Sequence, residues 1–70
     1  MLEIHYNAFD TIEQQLKEQG YKCKNIGIYE KAKESILFLW FHEFLTDGEH
    51  DKKINKLHNE LMKNIEKVEE

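Results

Sequence analysis

Ile36-Leu37-Phe38-Leu39-Trp40-Phe41 is the stretch on which the fold turns. Six consecutive apolar residues fit either a buried strand or a buried piece of helix, and length separates the two. Apolar residues continue back through Ala32 and Tyr29 and forward to Phe44 and Leu45 at helical spacing. No breaker interrupts 28–45, and Ala32, Lys33, Glu34 and Leu37 are good helix formers. The spacing therefore predicts one helix over 28–45. At 100° per residue the six side chains cover its whole circumference, and a helix that is apolar all round needs cover on every side.

Working outward, Thr46-Asp47-Gly48-Glu49 is a turn followed by a capping box, with Thr46 bonding the backbone at Glu49 and Glu49 reaching back. Beyond it Ile54, Leu57, Leu61, Ile65 and Val68 lie three or four apart, with Lys and Glu opposite, which predicts an amphipathic helix over 47–68. A turn this short folds the two helices into an antiparallel hairpin. Upstream, Phe9, Ile12 and Leu16 predict a first helix over about 8–19, capped by Asn7 or Asp10 and ended by Gly20. Residues 2–6 and 21–25 alternate with a period of two and are candidates for a small strand pairing. The expectation is a mainly α fold in a single domain, 1–70: three helices, the second and third forming the hairpin.

The first helix contributes one short stripe and the third another, so ridge-into-groove packing covers roughly two thirds of the central helix. The rest falls to residues 2–6 or to a second chain. Phe38, Trp40, Phe41 and Phe44 are accordingly the candidate partner-binding residues, since exposed aromatic side chains anchor binding hot spots. The partner expected is a protein target or a second copy, as in a homodimer.

Composition narrows the function classes. A chain of 70 residues forms one small core with a thin margin of stability, and its single cysteine rules out an internal disulfide. A lone thiol fits a reducing compartment, and Met1 to Asp10 lacks the basic flank and apolar run of a secretory signal, so a cytoplasmic location is expected. The longest apolar run is far too short to span a membrane. The formal net charge is −4, and all ten basic residues are lysine, without the arginine that reads guanine or forks onto phosphate. Lys22, Lys24, Lys31 and Lys33, interleaved with Tyr21 and Tyr29, nevertheless form a local basic patch of the kind a single-strand binder uses. A small nucleic-acid-binding regulator is thus the alternative to a protein-binding one.

Catalytic chemistry finds no constellation. Cys23 has flanking Lys22 and Lys24 but no base and no pocket in prospect, and it reads as a small packing residue. His42, Glu43, His50 and Asp51 meet across the hairpin turn, yet no pair has the spacing of a helix-borne zinc site. Asp47, Glu49 and Asp51 alternate like early EF-hand ligands, but Lys52 and His58 stand where that loop needs Gly and a bidentate acid. No enzyme activity, cofactor or metal is expected.

Phe44-Leu45-Thr46-Asp47-Gly48-Glu49, with Lys53 and Leu57 beyond, resembles the helix, "L-T-D-x-E", helix unit of SHOCT-type short domains. Similar hairpins occur in small phage and mobile-element proteins of low-GC Gram-positive bacteria. The resemblance spans about 25 residues of the hairpin, 37–62. It implies an interaction or oligomerisation hairpin and an accessory, regulatory role. Where that family pattern carries a glycine before the Leu-Thr pair, this chain has Glu43 and Phe44.

Overall fold

A computed structural model describes residues 2–68. The fold is mainly α, with three helices and one two-stranded antiparallel sheet: α1 (Ile12–Glu18), β1 (Tyr21–Cys23), α2 (Ile26–Phe41), α3 (Asp47–Asn64) and β2 (Ile65–Lys67). Helices α2 and α3 form the predicted hairpin, and Thr46 caps α3 as expected, while Glu49 reaches back to the Thr46 hydroxyl where a full capping box uses the backbone N–H. Thr46 Oγ1 accepts from Glu49 N–H at 3.2 Å, and its hydroxyl in turn donates to the Glu49 carboxylate at 3.2 Å.

Helix α1 starts four residues later than its apolar stripe suggests. Asn7 Oδ1 accepts from both Phe9 N–H and Asp10 N–H at 2.8 Å, and this side-chain turn holds 7–10 out of the helix. Thr11 caps instead, accepting from Gln14 N–H at 3.1 Å. Phe9 is therefore displaced from the Ile12–Leu16 stripe and stands 93% exposed.

The extended segment 2–6 turns Leu2, Ile4 and Tyr6 toward the core, as its alternation predicts, but pairs with no strand. Its partners are two side-chain amides of α1. Gln15 accepts from His5 N–H at 2.6 Å and donates to His5 C=O at 2.9 Å; Gln19 accepts from Glu3 N–H at 2.9 Å and donates to Glu3 C=O at 2.6 Å. Four residues of helix rise about 6 Å and two of strand about 6.6 Å, so amides at i and i+4 meet backbone groups at j and j−2 of a segment running the opposite way. A pair of glutamines thus replaces a neighbouring strand.

β1 is left to pair elsewhere. It takes the end of the chain, with Tyr21 opposite Lys67, Lys22 opposite Glu66 and Cys23 opposite Ile65, and Val68 N–H extends the ladder to Gly20 C=O at 2.9 Å. Helix α3 consequently stops at Asn64, short of the expected 68, and Ile65 adopts φ −88°, ψ 150°. Gly20 makes the turn between α1 and β1 at φ +82°, a conformation L side chains rarely adopt.

The core lies at one end of the hairpin. Ile12, Leu16 and Leu61 are fully buried, and Tyr21, Ile26, Tyr29, Met62 and Ile65 pack around them. This head takes in α1, the sheet, the start of α2 and the end of α3. The hairpin runs on past it, so the molecule measures 44 Å in length but only 21 Å and 20 Å across. Residues 36–41 are helical and lie toward the far end, where only Leu37 of the six is buried.

A candidate interaction face on the hairpin

Helix α2 ends just beyond the aromatic run, and the manner of its ending exposes the rings. His42 is the C-cap, Glu43 N–H donates to Trp40 C=O at 3.1 Å, and Phe44 N–H donates to Leu39 C=O at 2.8 Å. These two bonds define a Schellman motif, in which the residue after the cap takes the left-handed conformation. That residue is Glu43, at φ +62°. Phe44 and Leu45, expected inside the helix, therefore lie beyond its end, and Phe44 is 71% exposed.

Of the four expected contact residues, the structure leaves three bare. Phe38 and Phe41, one helical turn apart, are 57% and 64% exposed and join Phe44 at the far end of the hairpin. Trp40 serves the hairpin itself: its Nε1 donates to Asp47 Oδ1 at 2.9 Å, and its ring stacks on His50 with centroids 4.1 Å apart and planes 20° from parallel. His50 Nε2 is buried beside it without a hydrogen-bond partner. His42 lies against Phe38, with ring centroids 4.2 Å apart.

A groove of about 250 Å³ runs between segment 8–11 and α2, with Ala8, Thr11, Leu37, Phe38 and Phe41 in its walls and Asp10, Lys33 and Glu34 also among its lining. Phe9, between the lining residues Ala8 and Asp10 in sequence, is not itself in its walls. Its displacement by the Asn7 turn has no counterpart in the helical stripe, so this fourth ring is not foreseeable from periodicity. Nor is a second groove of about 250 Å³, between α2 and α3, lined by Ala32, Ile36 and Leu57 with Lys53, Lys56 and Glu60. Only the i, i+3 spacing of the two lysines hints at it.

The basic patch is not assembled as the alternative requires. Lys33 is buried: its Nζ donates to Asp10 C=O at 2.7 Å and lies 4.0 Å from Glu30 Oε1. Lys22 faces Glu66 across the sheet at 3.9 Å, and Lys24, in the turn after β1, and Lys31, on α2, are exposed. Removing Lys33 corrects the expectation of a four-lysine surface; its charge serves the junction of α1 and α2.

Cys23 is half-buried, with its thiol against Lys24 C=O at 3.2 Å, and burial pushes its pKa up, away from the reactive thiolate. Among the described residues no three His, Cys, Asp or Glu side chains gather as metal ligands, and no helix is long and apolar enough to cross a membrane.

These features describe a small helical protein whose most distinctive surface is an aromatic face at one end of a hairpin. No family model, no curated protein and no solved structure matches the chain.

Proposed function

We propose that this chain is a non-catalytic, cytoplasmic protein–protein interaction module that regulates its target by docking through Phe38, Phe41 and Phe44, with Phe9 at the rim. The SHOCT-like hairpin resemblance supports the same class and suggests an accessory protein of a phage or mobile element. The observation that carries the proposal is the exposure of these rings in a chain that has few large apolar side chains to spare. Each ring can bury ~150–250 Å², so four of them more than half bare present roughly 500 Å², the upper end of what a monomer leaves exposed. Leaving them in water forgoes stabilisation in a domain whose net stability rarely exceeds ~3–5 kcal/mol. Bound to a partner, the same rings supply hot-spot contacts.

Phe38→Asp/Phe41→Asp tests the proposal. Tagged chain cross-linked in its native cells retains specific proteins, the double variant loses them while keeping its helical circular dichroism, and Lys63→Glu, a control on α3, retains them. Recovery of the same proteins by the double variant, or of none by the parent chain, overturns it.

A further inference from the structure

The two grooves complement each other in shape and in charge. Helical geometry puts Glu34, Phe38 and Phe41 on one side of α2 and Ala32 and Ile36 on nearly the opposite side. The first side projects rings beside Asp10 and Glu34. The second is a recess of about 250 Å³ with an apolar floor of Ala32, Ile36 and Leu57, rimmed by Lys53 and Lys56, with Glu60 as its one acid. Lys52 lies next to this rim, in a groove of about 400 Å³ that shares Lys53 and Lys56 and also takes in Glu49. A cavity of ~150 Å³ suffices for a benzene ring, so the recess has room for a phenyl side chain.

We propose that the aromatic face of one copy seats in the lysine-rimmed recess of a second copy, joining chains head to tail. This rests on the proposed function in taking the aromatic face as a binding surface, and it names the occupant. Charge decides the arrangement. A two-fold dimer through the aromatic face sets Asp10 and Glu34 against their own counterparts; Lys33 also lines this groove, but its side chain is buried with its ammonium on the Asp10 carbonyl and beside Glu30, and the exposed Lys31 lies one turn away on α2. A two-fold dimer through the recess sets lysines against lysines. Only the crossed pairing brings Asp10 and Glu34 to Lys53 and Lys56, and like charges facing each other cost while opposite charges steer and fix register. Because the two surfaces lie on opposite sides of α2, each docked copy leaves one of each kind free, and growth continues rather than closing at two. The rings offer roughly 500 Å² on the one copy that supplies them, below the ~800 Å² per partner of a standard interface, so the association is weak and depends on concentration. Exposed charges at its rim make it salt-sensitive.

Sedimentation velocity over a concentration series tests this. The parent chain is expected to start near its 8.5 kDa monomer mass and to rise past twice that mass at low salt, falling back at high salt. Phe38→Asp, or Phe41→Asp if the first disturbs helicity, stays monomeric, and so does Lys53→Glu/Lys56→Glu. An equimolar mixture of the two blocked variants forms a one-to-one complex that grows no further, since each supplies the surface the other lacks. A parent chain that stays monomeric at every concentration, or that plateaus at two chains with no complementation between the variants, overturns the proposal. A monomeric parent whose aromatic variants still lose cross-linked proteins defeats self-association alone; loss of neither defeats the interaction face as well.

Discussion

Replacing Lys33 by Met probes how the head is joined to the hairpin. The Lys33 side chain is 5% exposed, and its Nζ makes a 2.7 Å bond to the Asp10 carbonyl. Glu30 Oε1, 4.0 Å away, also accepts the first helical N–H of α1, that of Ile12, at 2.8 Å. One lysine therefore satisfies the carbonyl before α1 and offsets the carboxylate that caps it. Met keeps the length of the apolar stem, so the change removes the ammonium with little loss of packing. Breaking a fully buried pair costs ~3–5 kcal/mol because the remaining charge is uncompensated. Glu30 is 21% exposed and keeps its bond from Ile12, which reduces the expected cost to about 2 kcal/mol. In a domain of this size that is roughly half the total stability, and at ~4–8 °C per kcal/mol the midpoint falls by about 10 °C. Thermal and urea unfolding followed by circular dichroism measure it. Adding Glu30→Gln, which still accepts from Ile12 without leaving a charge, should recover much of the loss. A single variant as stable as the parent, or a double variant no better than the single, refutes the assignment of Lys33 to this junction.

Three other outcomes follow from the same geometry. Glu43→Gly should stabilise the chain by ~0.5–1 kcal/mol, because the left-handed backbone at φ +62° costs a side-chain-bearing residue ~1–2 kcal/mol and glycine gives back part of that in unfolded-state entropy; a lower urea midpoint would contradict the Schellman geometry. Gln15→Glu keeps the acceptor for His5 N–H but loses the donor to His5 C=O and Thr11 C=O in a residue 8% exposed, so about 2 kcal/mol should go and segment 2–6 should lose hydrogen-exchange protection first. Burial pushes the Tyr6 hydroxyl, bonded to His58 Nδ1 at 2.5 Å, up to about 12 from 10.0. The neutral form is the one the fold favours, so this contribution is complete below pH 10 and is lost as pH rises toward 12. Ultraviolet titration of the folded chain should show a tyrosine step near pH 12, and Tyr6→Phe should abolish it.

The helices and their hairpin were legible because they follow from local rules. Thr46 and Glu49 lie three apart, as a capping box requires, and Leu57 and Leu61 mark the buried stripe of α3. Helix ends were less legible, since each was decided by a competitor outside the stripe. The Asn7 amide side chain took over 7–10, and Ile65 gave up a helical position to pair with Cys23. The pairing of strands depended on glutamines. Gln15 and Gln19 look like ordinary polar residues of an amphipathic helix, and nothing in their spacing distinguishes an amide in water from one bonded to Glu3 or His5. Lys33 was misjudged for a related reason: composition places lysine outside, while only the fold brings Asp10 and Glu30 to its ammonium.

The same division explains why the aromatic face is bare. A run that is apolar around the whole helix meets a core that covers only one end of the hairpin, because α1 spans seven residues against sixteen in α2. Shortening α1 at the Asn7 turn withdraws Phe9 from the core, and ending α2 at His42 places Phe44 outside it. Both events take rings away from the head and leave them exposed, as Phe38 and Phe41 are. Trp40 sits among them but is turned inward by its bond to Asp47 and its stack on His50. The far end of the hairpin is thereby held first by the Trp40 bond to Asp47 and its stack on His50, while Phe41 packs against Trp40 with ring centroids 5.2 Å apart and Phe38 against His42 at 4.2 Å. The polar bond and stack of Trp40 remain when Phe38 or Phe41 is replaced, and more than half of each phenylalanine ring faces water. Substitution there is therefore expected to remove binding at the cost of one ring contact each and to leave the hairpin folded, which circular dichroism checks.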